Sequence, residues 1–203
     1  MIRIIDYGLG NIQAFLNVFK RLNVLAGVAR RAADLDDADR LILPGVGAFD
    51  HAMQLLEASG MRPALDSLTL DRGIPVLGIC VGMQILARAS DEGTSKGLGW
   101  LPSRVRAFKH LQIPGLMLPH MGWNDVTPVA PSPLFRDLGA VPRFYFLHSY
   151  YFECKHAQHV AATSSYGIDF ACAVTAGNVH GVQFHPEKSH HFGAQLLKNF
   201  SEL

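Results

Sequence analysis

A chain of 203 residues, 49% hydrophobic and 17% charged, is long enough to bury one core and too apolar to read as disordered. Its 18 basic and 17 acidic residues leave a net charge of +1, which supplies no field for nucleic acid or an anionic membrane. No apolar run approaches the ~18 residues that a membrane-spanning helix needs.

The first predicted element is a buried strand over Ile2 to Ile5. It meets Asp6 too soon to read as a secretory signal. Asp6-Tyr7-Gly8-Leu9-Gly10-Asn11 is a turn, and Ile12, Phe15, Leu16, Phe19 and Leu22 then recur at the spacing of an amphipathic helix. Val24 to Val28 and Leu41 to Leu43 read as the second and third strands. Met53, Leu55 and Leu56 fall in a helix that Gly60 ends. Pro75 to Ile79 is a further apolar strand running into Cys80, and Met83, Ile85 and Leu86 predict a helix directly after it. Strand–helix alternation of this kind implies a parallel sheet covered by helices on both faces.

The second half is punctuated by proline and glycine. Its strands are shorter and in part antiparallel: Phe144 to Tyr150, His159 to Thr163, Phe170 to Thr175 and Val179 to Phe184, with Ala176-Gly177-Asn178 as a hairpin turn. A last helix covers Phe192 to Phe200. There is no internal repeat and no linker, so residues 1–203 read as one α/β domain with a mixed sheet.

Gly78-Ile79-Cys80-Val81-Gly82 places a cysteine between small residues at a strand-to-helix turn, the pattern of a nucleophile elbow with sulfur in place of oxygen. The following helix start favours a thiolate and offers the Val81 N–H to a developing oxyanion. Cys154 and Cys172 lack that context and read as inert thiols. An odd cysteine count without CxxC spacing argues against a disulfide framework and predicts a reducing, cytoplasmic compartment. In His185-Pro186-Glu187 the two ionisable residues stand two apart in extended chain, so Glu187 faces the imidazole and fixes its tautomer while His185 takes the thiol proton. The order Cys, His, Glu departs from the α/β-hydrolases, whose acid precedes the histidine. Pro44-Gly45-Val46-Gly47 follows the third strand, and its glycines leave N–H groups uncovered for an oxyanion or a substrate.

Other chemistry fits less well. His185 and Glu187 satisfy the H-x-E of a zinc deaminase, but no P-C-x-x-C follows. His156 with His159, and His190 with His191, have no carboxylate at metal-site spacing. Gly8-Leu9-Gly10 lacks the third glycine of a dinucleotide loop. Arg104, Arg106, Lys109 and His110 read as a solvated strand end. No metal and no cofactor is expected. The chain has no phosphate loop.

Taken together, five blocks in order resemble the class-I (triad) glutamine amidotransferases along essentially the whole chain. They are Asp6-Tyr7-Gly8-Leu9-Gly10-Asn11, Pro44-Gly45-Val46-Gly47-Ala48-Phe49, Gly78-Ile79-Cys80-Val81-Gly82-Met83-Gln84, Pro119-His120-Met121-Gly122-Trp123-Asn124 and His185-Pro186-Glu187-Lys188-Ser189. Within that family the blocks are similar to the HisH subfamily, glutaminase subunits of imidazole glycerol phosphate synthase. The resemblance implies a flavodoxin-like fold, a Cys80–His185–Glu187 triad, and a heterodimer with a HisF-like (β/α)8 synthase in histidine biosynthesis. It implies oxyanion donors at Val46, Gly47 and Val81, and glutamine contacts at Gly45, Gln84, Glu92 and the backbone of His148, Ser149 and Tyr150. Asn11, Trp123 and Lys188 would face the synthase.

Two segments depart from that pattern. Asn11-Ile12-Gln13-Ala14-Phe15 lacks the serine often found there, and Ser189-His190-His191-Phe192-Gly193 replaces small or basic residues. The latter is similar to segments of HisH-like proteins that feed sugar amidotransferases in surface-polysaccharide pathways, which gives a second ammonia acceptor. An inactive regulatory subunit is the non-enzymatic alternative.

Overall fold

The computed structural model describes residues 1–129 and 131–203. Its first half holds four strands, β1 (Ile2–Ile5), β2 (Ala26–Ala29), β3 (Arg40–Gly45) and β4 (Val76–Cys80). Between them lie helices α1 (Ile12–Arg21), α2 (Phe49–Ala58) and α3 (Arg62–Asp66), and the short α4 (Val81–Gln84) follows β4. The apolar runs form strands because both faces are covered: every residue of β4 is buried, as are Leu41 to Gly45 of β3. Helix α1 buries Phe15, Val18 and Phe19 on its inner face. It begins where the Asn11 side chain accepts the Ala14 N–H at 3.1 Å, and it ends on Lys20 and Arg21, which suit the negative end of the helix dipole.

The remaining strands are β5 (Ala89–Ser90), β6 (Ser103–Ala107), β7 (His120–Asp125), β8 (Thr127–Pro128), β9 (Arg143–His148), β10 (Tyr150–Cys154), β11 (Val160–Tyr166), β12 (Ile168–Ala176) and β13 (Val179–Val182), with α5 (His190–Ser201) last. The main sheet runs in the order β2-β1-β3-β4-β13-β12-β10-β6-β5, with β11 on β12 and β8 on β11. Strands β2 to β13 of that path are mutually parallel, the order of a flavodoxin-like sheet, and antiparallel strands extend it from β12 to β6. Phe49, Leu56, Leu77, Phe184 and Phe200 belong to one contiguous core cluster on the sheet.

Three departures from the sequence reading matter for the site. The segment predicted as one strand from Phe144 to Tyr150 changes sheets at Ser149. Residues up to His148 pair with β7 in a separate two-stranded ribbon, while Tyr150 pairs with Ala107 of the main sheet. The helix predicted after Cys80 lasts one turn, because the carbonyls of Ile85, Leu86 and Ala87 accept from Leu98, Leu101 and Gly99 instead of continuing the helix. Strands β6 and β7 are additions. Both arginines of the basic cluster are matched: Arg104 pairs with Asp91 at 2.9 Å and Arg106 with Glu153 at 2.8 Å. Among the described residues no helix is long and apolar enough to cross a membrane, and no group of three or more acidic, histidine or cysteine side chains is placed to hold a metal.

Candidate active site

Parallel pairing brings three strand ends to one edge. Gly45 lies opposite Cys80 in the β3–β4 pair, and Val182 opposite Ile79 in the β4–β13 pair. The loops leaving these strands therefore carry Val46 and Gly47, Cys80 and Val81, and His185 to a common point.

Cys80 sits at φ 55° and ψ −113°, a left-handed conformation that L side chains avoid. Such strain costs of order 1–3 kcal/mol and is held by its surroundings. The holders are glycines. A Cβ on Gly78 would lie 2.6 Å from the Gly82 carbonyl oxygen, and one on Gly82 would lie 1.8 Å from that of Leu43. Only without side chains can the elbow fold this tightly onto β3. The thiol is 4% exposed. It lies 3.9 Å from the Leu147 carbonyl oxygen and accepts the Gln183 Nε2–H at 3.7 Å.

His185 is clamped by its backbone. Its N–H donates to Tyr145 at 2.9 Å, and its carbonyl accepts the Ser189 hydroxyl at 2.6 Å; Ser189 in turn accepts the Tyr145 N–H at 3.0 Å. The imidazole Nδ1 lies 2.8 Å from Glu187 Oε1, with the two side chains 2% and 4% exposed. A carboxylate on Nδ1 makes that nitrogen the donor. Nε2, buried and without another partner of good geometry, is left for the sulfur. Burial alone would push this imidazole down, but the neighbouring sulfur and the Glu187 carboxylate outweigh it and raise it to about 9.

These groups open into a cavity of about 230 Å³, room for a molecule of amino-acid size. Cys80, His185, Val46, Gly47 and Val81 line it together with Gln84, Glu92, His148, Ser149 and Tyr150, and Pro119 and Leu147 complete the lining. Glu187 stands behind His185 rather than in the lining, and Gly45 is also outside it. At Gly45 the chain packs against the elbow, where a Cβ would meet the Gly82 nitrogen at 2.7 Å. The Glu92 carboxylate is raised by burial, while the Phe49 N–H it accepts at 2.8 Å works the other way and leaves its second oxygen for a ligand.

The ring of His148 enters a directed chain of hydrogen bonds. Its Nδ1 donates to the Tyr150 carbonyl at 2.7 Å, so its Nε2 must accept from His120 Nδ1 at 2.9 Å. His120 Nε2 then accepts from the Asn124 amide at 3.2 Å. Burial pushes His148 down to about 3 and His120 to about 4, so both are neutral. The backbone of His148, Ser149 and Tyr150 is thus fixed at the sheet change.

None of the three residues expected at a partner surface lines the cavity. Trp123 is 40% exposed and stacks on His190, ring centroids 5.3 Å apart and nearly parallel. The Lys188 ammonium sits 5.9 Å above the Tyr145 ring. Asn11 is exposed, and its side chain is engaged as the cap of α1. The ribbon β7–β9 is two-faced: His120, Phe144, Phe146 and His148 are buried, while Met121, Trp123 and Leu147 are exposed.

Gln183, Leu147, Pro119, His120 and Ser189 belong to the site without having been singled out for a role. The extended chain expected from His185 to Glu187 is instead a 3-10 turn over Pro186–Lys188, which still brings the carboxylate onto the imidazole; Gln183 carried no local mark.

The sheet and its elbow define the class: the fold is that of the class-I glutamine amidotransferases. A crystal structure of a glutamine amidotransferase superposes with a TM-score of 0.77 at 20% identity, covering 99% of this chain and 97% of that one. The family described as glutamine amidotransferase class-I matches residues 3–202. An imidazole glycerol phosphate synthase subunit HisH of Bdellovibrio bacteriovorus is 59% identical over the full length of both chains, and one of Leptospira interrogans is 49% identical, again over both full lengths. The chain belongs to the class-I glutamine amidotransferase family.

Proposed function

We propose that this chain is the glutaminase subunit of an imidazole glycerol phosphate synthase, one catalytic domain over residues 1–203. The full-length identity to HisH proteins supports the pathway. The observation that carries the chemistry is that Cys80 and His185 share the cavity wall, with the buried Glu187 carboxylate behind His185.

His185 Nε2 takes the Cys80 thiol proton, and the sulfur attacks the side-chain amide carbon of glutamine. The oxyanion is met by N–H groups of Val46, Gly47 and Val81. His185 then gives its proton to the departing nitrogen, ammonia leaves, and a γ-glutamyl thioester remains. Water, deprotonated by the same imidazole, attacks the thioester; glutamate departs and the sulfur regains its proton. Glu187 stabilises the imidazolium in both halves. Gln84 and Glu92 receive the α-ammonium of the substrate, and the fixed backbone of His148 to Tyr150 receives its α-carboxylate.

The partner is a HisF-like (β/α)8 synthase in a cytoplasmic heterodimer. It docks on the exposed apolar face of the β7–β9 ribbon, with Trp123, Lys188 and Asn11 at the contact. No nucleic acid or membrane is involved. The electrophile diazo-oxo-norleucine should form an adduct on Cys80 in the complex, detected by peptide mass spectrometry; an unlabelled Cys80 would refute the glutaminase reading and leave a regulatory subunit.

A second reading keeps the chemistry and changes the acceptor. His190, in the segment that departs from the pattern, stacks on the exposed Trp123, so the expected docking surface carries a different side chain there. Expression with the cognate HisF-like partner in a histidine auxotroph lacking its glutaminase subunit should restore growth without histidine. Failure to grow, with soluble chain still labelled at Cys80, would assign the ammonia to a sugar amidotransferase.

A further inference from the structure

Gln183 has no place in the reaction just described, yet it is fully buried and touches the nucleophile. Its side chain bridges two groups. One end donates to Cys80 Sγ at 3.7 Å, and the other accepts the Gln84 Nε2–H at 3.0 Å. Gln84 in turn lines the cavity beside Glu92. The hydrogen bonds thus connect the sulfur, through Gln183, to a side chain of the pocket lining.

We propose that Gln183 is a positioning residue that stabilises the Cys80 thiolate and, through Gln84, makes the pocket selective for the ammonium of an α-amino acid. The argument is one of donors and acceptors. A thiolate has no proton to give, so the Gln183 group that faces it must be the N–H. That forces the Gln183 carbonyl toward Gln84, and Gln84 must answer with its own N–H. The Gln84 carbonyl is then the end left for the cavity, where it accepts a hydrogen bond from an ammonium. The reverse arrangement exists only for the neutral thiol, which donates to the Gln183 carbonyl; Gln84 then presents N–H groups and repels an ammonium. A substrate ammonium and the thiolate therefore favour the same amide orientation, and binding of one favours the other. The selectivity half rests on the glutaminase reading, whereas the thiolate half does not.

Isosteric variants test both halves. Gln183→Met keeps the volume and removes the donor; Gln183→Glu keeps the shape and places a carboxylate beside the sulfur. The first measurement is the rate of Cys80 carboxamidomethylation by iodoacetamide against pH, using the whole chain and following the Cys80 peptide by mass spectrometry. Losing a hydrogen bond to a charged group predicts about a tenfold lower rate near neutrality for Gln183→Met and a larger loss for Gln183→Glu, with the profile displaced to higher pH. Gln84→Met should leave this profile in place. The second measurement is glutamine hydrolysis by the partner-bound enzyme. Gln84→Met should raise KM for glutamine with little change in kcat, and Gln183→Met should affect both. Alkylation profiles of folded Gln183 variants that superimpose on that of the parent chain would overturn the thiolate role. A normal profile shift with unchanged KM in both Met variants would overturn the selectivity role alone, and absence of hydrolysis in the parent complex would instead sink the glutaminase reading.

Discussion

At the scale of single residues, the site depends on histidines held in opposite states. His185 is raised to about 9 from its ordinary 6.5, so the folded chain holds that proton more tightly than the unfolded chain. Its contribution to stability is fully present below 6.5 and is lost as the pH rises through about 9. His120 and His148 are depressed to about 4 and about 3, so the unfolded chain binds protons first and stability falls as the pH drops below 6.5. The thermal midpoint should therefore be highest near 6.5, falling as the pH drops below it and falling again as the pH rises from 6.5 toward about 9, measured by circular dichroism in a pH series. A midpoint that holds level from 6.5 down to about 4 would contradict the neutral His120–His148 pair. For the reaction, His185→Ala should lower kcat by about 10²–10⁴-fold, with Glu187→Ala no more severe, since loss of the orienting carboxylate disturbs the tautomer and loss of the imidazole removes proton transfer. Full activity in either variant, assayed with the partner present, would remove the triad.

At the scale of elements, the elbow is the feature on which the rest turns. Gly82→Ala would drive a methyl group into the Leu43 carbonyl, so the β3–β4 pair must part. We expect a loss of roughly 1–3 kcal/mol or more in urea unfolding, with activity gone. Gly47→Ala meets no neighbour within 4 Å and costs only the strain of its φ of 108°, of order 1–3 kcal/mol. If Gly82→Ala proved the milder of the two, the close packing of elbow on β3 would be disproved. Asn11 separates two roles in one side chain. Asn11→Asp keeps an oxygen for the Ala14 N–H and should preserve stability, whereas Asn11→Ala should cost about 1 kcal/mol. Weaker partner affinity in the aspartate variant would then report a contact rather than the cap. These elements also show what was legible in the chain. Strands β1, β3 and β4 are buried on both faces and so read as unbroken apolar runs, and the elbow sits at the end of one of them. Strand β6 did carry a signal, Ser103, Val105 and Ala107 inward with Arg104 and Arg106 less buried, although its charges read as a solvated end. Strand β7 contains Gly122 and polar ends, and it exists because β9 lies beside it; pairing partners distant in sequence leave no local mark. The same reason hid Gln183 and His120, whose roles depend on Cys80 and His148 far along the chain.

At the scale of the whole molecule, the cavity and the apolar ribbon face share an edge. Leu147 belongs to both: its carbonyl lies 3.9 Å from the Cys80 sulfur and its side chain is exposed on the ribbon. A partner seated on that face therefore presses on the strand beside the nucleophile and on the loop of Val46, which is exposed at the mouth. A glycine-flanked loop can hold its N–H away from the oxyanion position until such a contact turns it. The isolated chain should accordingly hydrolyse glutamine about 10²–10³-fold more slowly than the complex carrying its acceptor substrate. Equal steady-state rates with and without the partner would refute that gating while leaving the triad intact.

On this reading Cys80 frees ammonia from glutamine for use by a second protein. Cys80→Ala, assembled with the HisF-like partner and its acceptor substrate, tests it most directly when product formation is followed with glutamine and then with an ammonium salt. No product should form from glutamine, and product from ammonium should be undiminished. Continued turnover of glutamine by that variant would contradict that reading.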